Sequence, residues 1–457
     1  MMELPMPLIM DILSRLPVKD LLRFRCVSKT WKYLIDDSHF IKLHLQHSLE
    51  NTTNLAVVIR SSYLYSVEFP ALDEAIIIDH PLKSYDMGTE VLGSCNGLLC
   101  LSNGEKHGIN GTVVYNPVTR KSRQVPASKI KIPYGYEHLI YGFGYDLVND
   151  DCKVVRVIQY STNRPDSYDS EVKVFSLKAS SWRKVQDFPR EYLLCYRRRW
   201  GVYVNGCLNW MATLKPDESK LIVSFDLCSE VYKAVLLPKY SAGEVHLTVE
   251  VLGQCLCLLI KYPTIRSEVW VMKEYGVEES WIKLFTVAQP DMIGSFEYVR
   301  PIVYSKDGSR VLLEQDRRKL IWFDLQSQTA ESVEISGNFY PFAATVLVES
   351  LVLGSRKTHK KNKRKEPEPL GNVNIAALPN SSETKAISGN HSQIREQRNQ
   401  MHGKLLESIC MIIFQRNQIR MYVLLHCQIH LKQRPFLVIC SKELGCRRYD
   451  YISKKPN

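Results

Sequence analysis

Apolar residues recur with a helical period in the first part of the chain. Leu8, Ile12 and Leu16 follow one another at intervals of four residues, and Pro17 ends that run because proline interrupts a helix. Two more runs follow, with apolar positions at Leu21, Leu22, Val27, Trp31, Leu34 and Ile35. The pattern predicts three short helices within residues 1–46, with more apolar surface than so small a unit can bury by itself.

The period changes to two at about residue 54, where short runs rich in Val, Ile, Tyr and Phe alternate with turn signals. One unit recurs five times: a strand, a short polar turn and a second strand. Its copies span 112–126, 171–189, 221–238, 268–285 and 320–335, with Tyr115, Phe175, Phe225, Val271 and Phe323 in equivalent places. Because another pair of strands precedes each copy, each repeat of roughly 50 residues predicts a four-stranded antiparallel sheet.

Two strand-rich segments remain unassigned, at 55–69 and 342–353. A strand from each can share a sixth sheet, which would close the sheets into a ring and cover their edges. We therefore predict an α+β multidomain chain: a small three-helix domain at 1–46, followed at 54–353 by an all-β, kelch-like propeller of about six blades. A pair of β-sandwiches or an open antiparallel array is the alternative, and the persistence of the repeat favours the propeller.

The end of the chain differs in charge from the rest. The net charge is +12, and residues 355–457 alone carry 20 Lys and Arg against 7 Asp and Glu, so the remainder is close to neutral. We expect a basic disordered linker at 354–403 and a C-terminal extension of unknown structure at 404–457. A basic cluster in the linker fits either a nuclear-import signal or a plain solvated run: Lys360, Lys361, Lys363, Arg364 and Lys365. With a near-neutral body, a nucleic-acid partner is not expected.

Recognisable catalytic motifs are absent from the sequence. It contains no phosphate-binding loop G-x-x-x-x-G-K-[ST], no nucleophile elbow G-x-S-x-G and no zinc motif H-E-x-x-H. The 13 Cys include no C-x-x-C pair, which favours a reducing compartment and leaves no zinc-binding spacing. We expect no cofactor, metal or catalytic residue, and neither a signal peptide nor a membrane span. A copper-dependent oxidase propeller is the enzymatic alternative. The sequence at 116–119 and the pair Asp150–Asp151 are interpreted as turns.

Motifs spread over residues 4–353 resemble those of one known family. Leu-Pro at 4–5, Ile12-Leu13, SRLPVKDLLRFRCVSKTWKYLI at 14–35 and HFIKLHL at 39–45 resemble an F-box in order, spacing and residue type. The repeats are similar to the domain that accompanies it, through CNGLLCL, VYNPVTRK, YGFGYD, WGVYVNG, FDL and VESLVL. The chain thus resembles a plant F-box protein with a C-terminal F-box-associated, kelch-like domain.

The resemblance implies a non-catalytic, substrate-recognition subunit of a Skp–cullin–F-box (SCF) ubiquitin ligase. The F-box would dock a Skp-family adaptor, and through it cullin and RING subunits, while the β domain would bind a target protein for ubiquitination and proteasomal degradation. A cytoplasmic or nuclear location would follow, with no membrane partner. The implied adaptor contacts are Leu4, Pro5, Ile12, Leu13, Leu16, Pro17, Leu21, Leu22, Val27 and Trp31. Some of them must instead form the internal core of the three helices, and for Trp31 and Leu34 a place in that core is an equal alternative to adaptor contact.

Loops on one face of a propeller are the expected target-binding surface. The segment 192–201 combines Tyr, Arg and Trp, the residue types most enriched at binding hot spots. The candidate target contacts are Tyr192, Tyr196, Arg197, Arg198, Arg199 and Trp200. Packing of Trp200 within a blade beside a solvated arginine turn is the alternative interpretation. For the whole protein, the alternative function is a non-degradative protein- or glycan-binding propeller with a vestigial F-box.

Overall fold

The computed structural model describes residues 6–353, apart from 83–87, 104–110, 129–135, 163–167, 196–199, 216–217, 242, 264–265, 289–295 and 338. Four helices come first: α1 (Met6–Ser14), α2 (Val18–Phe24), α3 (Lys29–Asp36) and α4 (Ser38–Glu50). No helix of this part of the chain is long and apolar enough to cross a membrane. The predicted linker and C-terminal extension, including the basic cluster at 360–365, lie outside the described residues.

The helix count corrects the prediction of three helices. Asp37 separates α3 from α4: its backbone is extended, and its carboxylate accepts the N–H groups of His39 (2.8 Å) and Phe40 (3.2 Å). A side-chain cap of this kind starts a new helix without any proline or glycine to mark the break. The apolar positions on either side of Asp37 therefore form one pattern in the sequence but belong to two helices in the structure.

The strands form six antiparallel sheets, the blades of a ring. Blade 6 takes β1 (Leu55–Arg60), β2 (Leu64–Glu68) and β3 (Ala75–Ile77). Blade 1 takes β4 (Glu90–Cys95), β5 (Leu98–Ser102), β6 (Thr112–Asn116) and β7 (Lys121–Val125). Blade 2 takes β8 (Tyr136–Asp146), β9 (Asp151–Ser161), β10 (Tyr168–Ser176) and β11 (Ser181–Lys184). Blade 3 takes β12 (Tyr192–Leu194), β13 (Val202–Val204), β14 (Cys207–Leu214), β15 (Ser219–Asp226) and β16 (Tyr232–Val235).

Blade 4 takes β17 (His246–Leu252), β18 (Cys255–Tyr262), β19 (Arg266–Met272) and β20 (Trp281–Ala288), with a 3₁₀ turn at Glu278–Ser280. Blade 5 takes β21 (Val299–Tyr304), β22 (Arg310–Gln315), β23 (Lys319–Asp324) and β24 (Ala330–Val333). The last strand, β25 (Ala343–Val348), returns to blade 6 and pairs with β1, so that Leu55 lies opposite Val348. The prediction that the two ends of the repeat region share one blade is therefore confirmed.

We count the strands of each blade from the inside of the ring outward, so that β25 is the first strand of blade 6 and β1 its second, and β12 and β13 together are the first strand of blade 3. The first strand of each blade lies innermost and contacts the first strand of the next. β4 contacts β8, β8 contacts β13, β13 contacts β17, β17 contacts β21, and β25 contacts both β21 and β4. This unbroken cycle makes the domain a closed six-bladed propeller, as predicted. Closure pairs the ends of the β region with each other, so no inner sheet edge remains to recruit a foreign strand.

The recurring sequence unit corresponds to the third and fourth strands of a blade. All five aligned residues, from Tyr115 to Phe323, are on third strands, and none is more than 2% exposed. In blade 1, Asn116 ends this strand and its side-chain oxygen accepts the N–H groups of Val118 and Thr119. Asp226 and Asp324 do the same in blades 3 and 5. The prediction of a turn at 116–119 is confirmed, and its mechanism is a side-chain-capped turn.

Six apolar clusters fill the spaces between neighbouring blades, one at each blade-to-blade junction. One buried cation also joins three blades near the point of closure. Arg300 on β21 lies 2.6 Å from the Glu314 carboxylate on β22 and 3.9 Å from that of Glu250 on β17, and it donates to the Ala344 carbonyl on β25. Burial acts to lower the pKa of Arg300, but Glu314, Tyr298 and Glu250 together outweigh that effect and raise it.

Candidate adaptor-docking site and target face

The helices pack around a small apolar core that they do not complete by themselves. Leu13, Val18, Leu21, Ile35, Phe40 and Ile41 form it together with Leu351, which comes from the segment after β25. Val118 and Val352 of the propeller also pack against it. Two of the predicted adaptor contacts, Leu13 and Leu21, are 1% and 0% exposed. They are internal packing residues and present no surface to a partner, which corrects their assignment.

The other described members of the predicted adaptor set keep part of their surface in contact with solvent. They are Ile12, Leu16, Pro17, Leu22, Val27 and Trp31. Leu4 and Pro5 lie outside the described residues. Met6 and Leu8, which were not predicted contacts, are more exposed than any of the half-buried members, at 44% and 45%. Leu8 lies one helical turn before Ile12, so the spacing in the sequence already placed it on the same stripe.

The relative position of α2 and α3 is held by one ion pair and one aromatic pair. Arg25 Nη2 donates to Asp36 Oδ2 at 2.9 Å, and both side chains are about three-quarters buried. Phe24 and Trp31 meet edge to face, with ring centroids 5.6 Å apart. Because Trp31 is positioned by this contact, its remaining exposed surface has a defined orientation.

The helices lie against one face of the ring, which we call the helix-bearing face. It contains the turns between first and second strands and those between third and fourth strands. Lys42 of α4 pairs with Asp150 in the β8–β9 turn at 2.6 Å, and Gln254 in the β17–β18 turn donates to the Leu49 carbonyl at 3.0 Å. The opposite, open face contains the turns between second and third strands.

Asn116 ties the helical core to the propeller. Its side chain is fully buried, and Nδ2 donates to the carbonyls of Ser350 (2.9 Å) and Val352 (2.8 Å). These bonds hold the backbone on both sides of Leu351, which is why that side chain enters the helical core. Gly97 makes room for this arrangement: it has a φ of +78°, and a Cβ atom there would collide with Ser350 Oγ.

Two titratable groups at this junction are held in defined charge states. Hydrogen bonds from Lys42 and Tyr145 lower the pKa of Asp150, which keeps its carboxylate ionised. The predicted turn at Asp150–Asp151 is confirmed as the β8–β9 hairpin. Its Asp150 also pairs with Lys42 of α4. On α4, burial lowers the pKa of His44, and its neutral ring donates from Nε2 to the Leu16 carbonyl at 2.9 Å.

The predicted target segment interrupts the innermost strand of blade 3. β12 and β13 both pair with β14, at opposite ends, and residues 195–201 connect them. Tyr192 is half-buried: its carbonyl accepts Gln159 Nε2 at 2.7 Å and its ring meets Phe188 edge-on. Trp200 packs against the apolar cluster between blades 1 and 2, which favours its packing interpretation. Tyr196, Arg197, Arg198 and Arg199 lie outside the described residues.

Among the residues described, no group of three His, Cys, Asp or Glu side chains is placed to hold a metal ion. The molecule has two candidate binding surfaces. One is the partly exposed apolar stripe of the helices, which are fixed to the helix-bearing face, and the other is the open face opposite.

Comparison with known proteins matches both parts of the chain. Residues 1–43 match the model of the F-box domain, and residues 55–356 match that of the F-box associated beta propeller domain. The chain is 40% identical over 377 residues to the F-box protein CPR1 of Arabidopsis thaliana, covering 78% of this chain and 90% of that protein. It is 35% identical over 376 residues to the Arabidopsis thaliana F-box protein At4g22390, covering 78% and 92%.

Among solved structures, TolB from Acinetobacter baumannii aligns with a TM-score of 0.38 and 11% identity, over 64% of this chain and 65% of that one, which is too distant to inform function. Two details of the expected family assignment change. The F-box is N-terminal and the associated domain is central rather than C-terminal, since its match ends at residue 356 of 457. The matched model is that of the F-box-associated propeller, so the kelch-like description is not shown.

Proposed function

The chain belongs to the family of plant F-box proteins that carry an F-box-associated β-propeller, and on that premise we propose that it is the substrate-recognition subunit of an SCF ubiquitin ligase. An F-box implies a Skp-family partner, and through it cullin and RING subunits. In this proposal the chain makes and breaks no covalent bond. It raises the local concentration of a target protein's lysines beside a conjugating enzyme that other subunits carry.

The partly exposed apolar stripe supports the adaptor half of this proposal. A small helical unit whose core faces the ring has a second apolar side left in contact with solvent, and such a side suits packing against a partner helix or groove. We assign the adaptor contact to Met6, Leu8, Ile12, Leu16, Pro17, Leu22, Val27 and Trp31. Leu4 and Pro5 stay in the assignment on the family resemblance alone.

The observation that carries the proposal is the joint between the two parts. Leu351 lies in the helical core, and Asn116 holds the backbone around it. At two other blades, Lys42 of α4 pairs with Asp150, and Gln254 of the ring donates to the Leu49 carbonyl of α4. An adaptor on the helices would therefore be held on one side of the ring, and a target on the open face would be presented from the other. Fixed geometry of this kind is what makes a tethered reaction fast.

The target surface and the location of the protein stay predictions within this proposal. One candidate for target contact is the segment that contains Tyr192, Tyr196, Arg197, Arg198, Arg199 and Trp200. Because Trp200 packs against the cluster between blades 1 and 2, less of its surface is left for a target. A cytoplasmic or nuclear location fits the proposed function, and the basic cluster at 360–365 is the candidate import signal.

Capture of the full-length chain by a purified Skp-family adaptor tests the adaptor half. We expect Leu8→Asp to weaken capture about tenfold or more, because an exposed interface leucine contributes on the order of 1–3 kcal/mol to binding. Leu236→Asp is the matched control, since Leu236 is 56% exposed but lies on the propeller. Both variants should keep the wild-type circular dichroism spectrum. Equal capture of the two variants, or no capture of the wild type, would contradict the proposal.

A vestigial F-box is the alternative, and ubiquitin transfer separates it from the proposed function. With adaptor, cullin and RING subunits and a charged conjugating enzyme, the wild-type chain should become ubiquitinated on its own lysines and Leu8→Asp should not. If the wild-type chain binds the adaptor but receives no ubiquitin, a non-degradative binding module is the better description.

A further inference from the structure

Aromatic side chains cluster at the open-face end of the cleft between blades 5 and 6. Tyr63, in the β1–β2 turn, meets Tyr65 edge to face with ring centroids 6.4 Å apart. Tyr65 meets Phe339 in the same way at 4.6 Å. The next residue, Tyr340, has the Arg318 guanidinium 5.2 Å from its ring centroid. The contacts form one continuous row from the turn of blade 6 to the turn of blade 5.

Half of this row is anchored and half is exposed. Tyr65 and Phe339 are partly buried against the apolar cluster between the two blades. Tyr63 and Tyr340 are 54% and 59% exposed, and Ile77, which lies opposite Tyr65 on β3, is 56% exposed. Single exposed apolar residues are ordinary on a protein surface, but a contiguous group on a rigid base is the usual mark of an interaction site.

Basic residues border the row on one side. Arg317, Arg318 and Lys319 follow one another at the β22–β23 turn, and all three are exposed. The Arg317 carbonyl accepts the N–H of Phe342 at 2.9 Å, which fixes this turn to the segment leading into β25. Among the described residues Asp316, which precedes them, forms no ion pair with these cations; one of its carboxylate oxygens instead accepts the N–H groups of Glu297 and Tyr298, at 2.9 and 2.7 Å. Within the described ranges none of the three cations forms an ion pair.

We propose that this surface binds the target protein through a segment in which an apolar or aromatic side chain is flanked by carboxylates. We call it the rim patch and define it as Tyr63, Ile77, Arg317, Arg318, Phe339 and Tyr340. The inference rests on the proposed function, since it names the kind of target segment that the propeller receives. Its location on the open face leaves the helix-bearing face to the adaptor.

The chemistry of the partner follows from the two halves of the rim patch. The exposed edges of Tyr63 and Tyr340 and the side chain of Ile77 offer apolar contact area that is already ordered, so little conformational entropy is lost on binding. The guanidinium groups of Arg317 and Arg318 form no ion pair among the described residues, and they favour carboxylates, to which arginine donates two parallel hydrogen bonds. A basic segment would be repelled by these charges and a purely polar one would gain neither the ionic nor the apolar contact, so both are disfavoured.

Binding of short labelled peptides to the full-length chain tests the rim patch. The probes have one central Trp or Leu flanked on both sides by Glu, with matched sets in which Lys replaces Glu or Ala replaces the central residue. We expect the wild type to prefer the acidic, apolar set by about tenfold over either matched set. Tyr340→Ala should remove the preference for a central Trp or Leu, and Arg317→Glu with Arg318→Glu should reverse the charge preference.

Lys306→Glu is the matched control, because Lys306 is exposed in the β21–β22 turn of the same blade but on the helix-bearing face. It should bind all peptide sets as the wild type does. Capture by a Skp-family adaptor is measured on the same preparations, so that the two proposals fail separately. If the wild type captures the adaptor but does not discriminate among the peptides, or if the rim-patch variants bind them unchanged, the rim patch is wrong while the adaptor role stands. Loss of wild-type adaptor capture would instead refute the proposed function.

Discussion

The helices and the ring bury their apolar side chains in different ways. In the ring, each of the six clusters is enclosed by strands from two neighbouring blades, and closure through β25 completes the cycle. The helices share one small cluster that needs Leu351 from the propeller segment, and they leave Met6 and Leu8 in contact with solvent. The ring is thus complete by itself, whereas the F-box is completed on one side by the ring and is left open on the other.

The two parts also differ in where they keep their ion pairs. The ring buries charge: Arg300 with Glu314, and Lys153 with Asp146 at 2.8 Å. Among the helices, Arg15–Asp11 lies near the surface and Arg25–Asp36 is about three-quarters buried, so neither pair is as deeply enclosed as those of the ring. Removing one partner of a buried pair leaves an uncompensated charge in the interior, but an exposed partner is readily hydrated. Mutations should therefore lower the free energy of unfolding most at the buried pairs of the ring, and by progressively smaller amounts at the joint between the ring and the helices.

Glu314→Ala is expected to have the largest effect. It leaves the Arg300 guanidinium buried without its nearest carboxylate, which should lower the free energy of unfolding of the ring by about 3–5 kcal/mol. Urea unfolding followed by tryptophan fluorescence measures the loss. Glu331→Ala is the control in the same blade, because Glu331 pairs with Arg310 at the surface and should cost less than about 1 kcal/mol. Similar losses in the two variants would show that burial of the pair does not matter.

Leu351→Ala tests whether the ring completes the helical core. A cavity at this position should destabilise α1–α4 by about 2–4 kcal/mol and leave the inner strands of the blades protected. Amide hydrogen exchange of the full-length chain resolves the two parts. Leu147→Ala is the control, since Leu147 is 63% exposed, and it should change amide exchange in neither the helices nor the ring. Faster exchange throughout the ring would mean that the two parts are a single cooperative unit.

Asn116→Asp tests the joint between ring and helices independently of the β6–β7 turn. The variant keeps the oxygen that caps the β6–β7 turn but loses the donor to the Ser350 and Val352 carbonyls, which should cost about 1–3 kcal/mol. Exchange of α1–α4 amides should rise accordingly. In Asp324→Asn the turn-capping oxygen is likewise retained, and the hydrogen bonds described for this side chain stay within its own turn, so little change is expected. An unchanged helical exchange rate in Asn116→Asp would remove Asn116 from its assigned role.

Asp150→Asn should have the smallest effect, because its pair with Lys42 is about half exposed. At neutral pH we expect a loss of less than about 1 kcal/mol. Hydrogen bonds from Lys42 and Tyr145 lower the pKa of Asp150, so its contribution is present above the unfolded value near 3.8 and is lost as the pH falls through the folded value. Urea midpoints of wild type and variant should therefore converge in acid. A difference that grows as the pH falls would contradict this assignment.

The repeat architecture was predictable because it depends on short-range patterns. Alternation of apolar residues marked the strands, and the equivalence of Phe175, Phe225 and Phe323 marked a shared place on the third strand. The break between α3 and α4 was not predictable from period alone, since Asp37 interrupts the helix through its side-chain bonds and not through its effect on the apolar pattern. Nor did the apolar pattern reveal that Leu13 and Leu21 face inward while Leu8 faces solvent, because each of them occupies an apolar position of its own helix.

The sequence by itself determined the helical and β parts, the number of repeats, the capped turns and the resemblance that identifies the family. Only the tertiary structure decided how the parts are joined and where the surfaces lie. Asn116 and Ser350 are 234 residues apart, and the rim patch collects residues from four separate turns, strands and segments. Local propensity extends over a few residues, so it specifies elements and not which distant side chain will cover them. That is decided when the ring closes and brings both ends of the β region to the same blade.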